Sequence, residues 1–145
     1  MTKPGAPVAV IKPLMPELPW TITVPLMISS QNKSTYSHWS VYKKGKDAWS
    51  MALSLLLQPV AGLRLNWSEW EITRCWSPPH REFDFGNLVG GCKGPIDCLT
   101  QMRVIVDDRP ANFLCNYVQE RVHVRSHTRI TLLRTAHERP PNHIQ

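Results

Sequence analysis

Long apolar runs are missing from this sequence. No stretch of 18 or more consecutive apolar residues occurs in its 145 residues, which argues against a membrane-spanning helix. The first nineteen residues, punctuated by Pro4, Pro7, Pro13, Pro16 and Pro19, also lack the continuous apolar core of a secretory signal, so a cytoplasmic protein is expected. Paired cysteines are missing as well. Cys75, Cys92, Cys98 and Cys115 form no CxxC pair, so neither a zinc ribbon nor a thioredoxin-type motif is supported and reduced, mostly buried thiols are expected. No internal repeat is present, which sets aside solenoid and propeller architectures.

Acidic residues are few: 11 Asp and Glu stand against 17 Lys and Arg, for a formal charge of +6. Five arginines and three histidines fall between Arg121 and Arg139, and a second basic cluster comprises Lys33, Lys43, Lys44 and Lys46. Such an excess favours polyanion partners, because each phosphate neutralised by Lys or Arg releases a counterion. Charge alone is equally compatible with an ordinary soluble basic surface.

What is present is enough apolar content, 42%, for one domain with a real core. The expected organisation is a Pro-rich extended arm over 1–19, a folded domain over 20–135 and a polar tail over 136–145. The segment 20–27 (WTITVPLM) is rich in β-formers, and Pro25 should end its strand or place it at a sheet edge. The polar stretch 29–46 reads as a loop feeding a helix over 47–57, whose Trp49, Leu53, Leu56 and Leu57 form a core stripe; Gln58-Pro59 should close it. Residues 63–67 and 70–72 alternate in opposite phases, which predicts a strand with a bulge or break. A helix is expected within 88–101, beginning near Pro95 or kinked there. Residues 104–106 are a short strand candidate, and 119–125 with 128–134 read as a hairpin around Ser126-His127.

The acidic residues are few but concentrated. Asp84, Asp97, Asp107 and Asp108 lie within 25 residues. Carboxylates brought together and partly desolvated repel one another unless a cation sits between them. Mg²⁺ suits such a site, since it takes hard oxygen ligands and is usually held by one or two carboxylates plus substrate phosphate oxygens. If Asp84 and Asp108 end successive elements, the intervening helix can return the chain so that they meet. The plainer alternative is that Asp107-Asp108-Arg109-Pro110 is a turn and that Asp84 caps a helix.

The stretch Asp84-Phe85-Gly86-Asn87, followed by Lys93, by Asp97-Cys98-Leu99, and by the apolar run 104–106 ending in Asp107-Asp108, resembles the RusA family of Holliday-junction resolvases. Weaker similarity extends over roughly 20–134. The resemblance implies a single-domain α+β fold, a mixed β-sheet packed with helices. It further implies a homodimer acting on branched, four-way-junction DNA with Mg²⁺, for which Mn²⁺ can substitute. It makes Asp84 and Asp108 metal-binding catalytic carboxylates with Asp107 beside them, places Lys93 near the phosphate, and leaves Asp97 a structural partner of Lys93. Lys33, Lys43, Lys44 and Lys46 become candidate DNA contacts.

One departure matters. Where the family pattern Asp-x-Asp-Asn has its second aspartate, this chain has Gly86, which offers no carboxylate. Glu82 can restore a pair by a local shift, water can fill the vacancy at a cost in activity, or the chain binds junctions without cutting them. Of the remaining candidates, Tyr36, His38, Trp39 and Tyr42 among lysines suit either base stacking or core packing. His123 and His127, if four apart in one strand, are too far apart to share a small ion.

Overall fold

The computed structural model describes residues 14–30 and 39–136. The expected arm up to residue 13 and tail from residue 137, together with Lys33, Tyr36 and His38, lie outside the described residues.

Four strands make one mixed sheet: β1 (Trp20–Val24), β2 (Ser68–Trp76), β3 (Phe113–Arg121) and β4 (His127–Thr135), in the order β1-β4-β2-β3. β4 is antiparallel to both β1 and β2, whereas β3 runs parallel to β2. Three helices, α1 (Trp39–Leu56), α2 (Phe85–Gly91) and α3 (Lys93–Gln101), complete an α+β domain. The period of two along a strand explains how they join. Ile22 and Val24 of β1, Ile130 and Leu132 of β4, and Trp70 and Ile72 of β2 pair in register on one face. They form one buried cluster with Trp49, Leu53, Leu57, Leu88, Ile96 and Leu99 from the helical layer. Truncating a fully enclosed member such as Leu53 should cost about 2–5 kcal/mol.

The opposite face is polar. Thr21 faces Thr131 across β1 and β4, their hydroxyls 2.9 Å apart, and Glu69 pairs with Arg134 at 2.9 Å. That alternation identifies the face the helices leave uncovered.

Two glycines allow the helices to approach. A Cβ on Gly91, at the end of α2, would collide with the Ser29 carbonyl oxygen and sit 2.6 Å from Ile28 Cγ2. A Cβ on Gly94 would lie 3.1 Å from the Trp49 ring, so this glycine lets α1 and α3 touch.

Several expectations hold. β1 stops just before Pro25, the stripe Trp49, Leu53 and Leu57 is buried with Leu56 packed beside it, and Cys75, Cys92 and Cys98 are buried free thiols with Cys115 half-buried. Others need correction. α1 begins at Trp39, so residues 39–46 are helical rather than a loop; Lys and aromatic residues tolerate a helix, and Gly45 alone does not break it. The expected 88–101 helix is two helices that meet at Cys92. The break precedes Pro95 by one turn because proline's missing N–H is tolerated only in the first turn of α3.

Residues 63–67 and 104–106 are not strands; they share an isolated bridge, Leu65 to Ile105. Positive φ values at Gly62, Arg64 and Arg103 bend both segments away from extended geometry. The hairpin is also absent. β3 and β4 lie on either side of β2, and the connection 122–126 crosses the end of β2. It is fixed there by Val122 N–H donating to the Trp76 carbonyl at 2.8 Å and by Ser77 N–H donating to Ser126 Oγ at 2.9 Å. Inserting β2 buries its Trp70 and Ile72 between two neighbours, which a simple hairpin would not. His123 consequently lies in the crossing and His127 begins β4, so the two histidines do not share a strand.

Candidate functional site

The site is built on the helix-covered face near β3, which stands at one end of the strand order. Asp84 precedes α2 with extended backbone and caps it: Oδ1 accepts from the Asn87 backbone N–H and Oδ2 from the Asn87 side-chain amide, each at 2.8 Å. This bears out the capping alternative, and it fixes where the exposed carboxylate points.

The segment carrying Asp84 is anchored by residues that the sequence pattern did not single out. Gln119 of β3 grips both polar groups of the Phe83 backbone, its Oε1 accepting from Phe83 N–H at 2.8 Å and its Nε2 donating to the Phe83 carbonyl at 2.7 Å. A strand would bond in the same way. Arg74 of β2, 1% exposed, stacks its guanidinium 3.6 Å from the centre of the Phe83 ring. Its Nη1 donates to the Arg81 carbonyl at 2.8 Å and to Gln119 Oε1 at 3.2 Å. Burial lowers the pKa of Arg74. A buried charge is tolerable when hydrogen bonds and a ring replace its water. The available signal was a lone arginine in an otherwise apolar strand phase with Trp70 and Ile72.

Asp107 is held differently. Its Oδ1 accepts from Arg109 N–H at 3.0 Å and Asn112 Nδ2 at 2.9 Å, while Oδ2 accepts from Arg109 Nη2 at 2.9 Å. The Arg109 and Asn112 hydrogen bonds hold its carboxyl down at about 2. Asp107 thus closes on Arg109 through its side chain, and the backbone turn follows over 109–112, closed by Asn112 N–H on the Arg109 carbonyl at 2.8 Å, so the plainer alternative holds with the turn displaced by two residues. With Asp107 occupied in this way, the neighbouring Asp108 is exposed.

Tyr117 of β3 stands beside the Asp84 segment. Phe85, next to Asp84, meets its ring edge-on at 6.3 Å between centroids. Burial raises the Tyr117 pKa, with further upward contributions from Cys115, Cys92 and Asp108. Lys93 follows the buried Cys92 and is exposed at the start of α3. Asp97 lies one turn further along α3. Burial also pushes both thiols up, Cys115 to about 12, so these are protonated packing groups rather than soft metal ligands.

Glu82 is exposed on the anchored segment. Among the described residues, no three His, Cys, Asp or Glu side chains converge as a metal-ligand set. Asp84 and Asp108 are hard oxygen donors with no ion-pair partner among the described residues, and two carboxylates completed by phosphate oxygens and water suit Mg²⁺. At Gly86 a Cβ would meet only Asp84 Oδ1, at 3.5 Å, so a side chain there has room and would project beside Asp84.

Of the basic cluster, Lys43 and Lys44 are exposed and Lys46 is half-buried on α1. Helix α1 packs on α3, with Ser50 Oγ 3.7 Å from Cys98 Sγ. No described helix is long and apolar enough to cross a membrane. Neither a protein-family model nor a curated protein matches the chain.

Proposed function

We propose that this protein is a structure-selective endonuclease of the RusA type, a homodimer hydrolysing phosphodiesters in branched DNA during recombination and repair, with Mg²⁺ or Mn²⁺ held by Asp84 and Asp108. The observation that carries the reading is a pair of exposed carboxylates, Asp84 and Asp108, without an ion-pair partner among the described residues, in a basic protein whose sequence resembles the family at these positions. When bound, the ion would lower the pKa of a water and polarise the scissile phosphate. Asp84, oriented by Asn87, and Asp108, presented by the Asp107 turn, supply its oxygen ligands. Lys93 neutralises charge that builds on the phosphate. The α1 lysines hold the DNA backbone, and Tyr117, keeping its proton, can donate to a phosphate oxygen.

A second reading, a junction-binding protein that does not cut, is favoured by Gly86 and by the want of a three-ligand set among the described residues. Incubating the full chain with a synthetic four-way junction and Mg²⁺ or Mn²⁺ separates them. Symmetric nicks abolished by Asp108→Asn support the enzyme, whereas tight binding without nicks at any metal concentration supports the binder. Gly86→Asp has the space described above, and a gain in cutting would identify the vacant ligand position as the limiting defect.

A further inference from the structure

The crossing over the end of β2 creates a cleft that the site above does not use. About 360 Å³ in volume, it is lined by Ser77, Pro78, Arg121, His123 and Arg125 with their neighbours, and no carboxylate lines it. We infer that this cleft is a second subsite for a nucleic-acid phosphodiester backbone, engaged by Arg121 and Arg125. The inference rests on the DNA-binding part of the function proposed above but not on cleavage.

Three features favour a phosphate. First, neither arginine is in an ion pair with a described carboxylate. The adjacent Glu120 is taken by Arg129, whose strand position is on the opposite sheet face. The guanidinium charge therefore faces solvent, where a phosphate can accept two parallel hydrogen bonds from it.

Second, the cleft is braced. Arg121 lies 5.6 Å from the centre of the Trp76 ring, Val122 and Ser126 are tied to Trp76 and Ser77, and the Arg125 carbonyl lies 2.8 Å from His127 Nδ1. Holding the Arg121 side chain beside the ring, and the Arg125 backbone by its carbonyl, reduces the conformational entropy lost on binding.

Third, the cleft lies in line with the candidate site. Tyr117, Gln119 and Arg121 alternate on one face of β3, so Arg121 is four residues from Tyr117, roughly 13 Å at the strand rise. That span corresponds to about four base-pair steps of duplex. Exposed His80 and Arg81 lie on the segment leading from the cleft to Asp84. A backbone entering at Arg121 and Arg125 can thus continue to the acidic site.

The test measures binding of a labelled four-way junction, and of a duplex of one arm, to the full chain in EDTA, so that no cutting enters the result. Relative to wild type, Arg121→Gln/Arg125→Gln should bind both DNAs about tenfold more weakly at moderate salt, with the slope of log K against log salt reduced by about two. Arg121→Lys/Arg125→Lys should keep that slope. Both arginines are exposed, so thermal midpoints should be unchanged, and the lysine variant guards against loss through misfolding. Equal affinity and slope for wild type and the glutamine variant would overturn the subsite, as would absence of DNA binding by wild type. Loss of affinity in the glutamine variant, from a wild type that never nicks a junction in Mg²⁺, would retain the subsite and reject the endonuclease.

Discussion

The two acidic segments are held by opposite means. Asp84 stands on a segment held from afar: Gln119 and Arg74, from two different strands, grip the Arg81–Phe83 backbone, and Gly91 lets the far end of α2 close on Ser29. Asp108 stands on a turn that is closed from within, by Asp107, Arg109 and Asn112. The first depends on the tertiary fold, whereas the side-chain hydrogen bonds of the second all lie within the six residues 107–112. A perturbation far away in sequence should therefore move Asp84 and leave Asp108 in place.

The largest effect expected is on chemistry, and it should not distinguish the segments. Asp84→Asn and Asp108→Asn should each reduce junction cutting about 100-fold or more, since small displacements of reacting groups carry penalties of that order. Asparagine is as good an N-cap as aspartate, so Asp84→Asn should leave the thermal midpoint almost unchanged. Equal cutting by wild type and either variant would remove that carboxylate from the site. Asp84→Ala should in addition destabilise the fold by about 1 kcal/mol, measurable by denaturant titration.

Anchoring is where the segments should part. Gln119→Ala leaves both backbone groups of Phe83 without their partner, a loss of about 2 kcal/mol. Cutting should fall further than the folded fraction does, because Asp84 loses its support. Gly91→Ala should cost about 1–3 kcal/mol by overpacking against Ser29 and Ile28. Amide chemical shifts in either variant should change around residues 81–91 and not around 107–112; equal changes in both segments would show that the Asp107 turn is not self-contained.

The same division explains what the sequence disclosed. The Asp-Asp-Arg-Pro turn, the Asp84 cap, the arrest of β1 by Pro25 and the Leu53 stripe are encoded within a few residues, and each was readable from local chemistry. The placement of β2 between β3 and β4 was not. Two β-rich runs separated only by Ser126-His127 look like a hairpin, and only the burial of Trp70 and Ile72 by neighbours on both sides favours inserting a third strand. Gln119 was illegible for a related reason: its value lies in a backbone 36 residues away, with no periodicity to announce it, whereas Arg74 showed only as a charge in an apolar strand phase. Asp84, Lys93 and Asp108 enter the proposed site through the family resemblance alone, whereas nothing in the sequence singled out Tyr117.

The smallest expected effect is on acid sensitivity, and it isolates the local segment. Asp107 titrates at about 2 in the fold, below its ordinary 3.8, chiefly because Arg109 and Asn112 hydrogen-bond to the ionised form. Protons therefore bind the unfolded chain more readily than the folded one at this position. The stabilising contribution is complete above about pH 4 and is lost as the pH falls through about 2. Asp107→Asn removes the charge but can still accept one hydrogen bond, so wild type should be slightly the more stable protein at neutral pH. That difference should shrink between pH 4 and 2. Thermal midpoints measured for both proteins across this window test the point, and a constant difference down to pH 2 would mean that the turn does not depend on the Asp107 charge. Asn112→Ala should raise the Asp107 titration, followed by carboxyl carbon NMR, toward the ordinary value without disturbing the Gln119 clamp on Phe83.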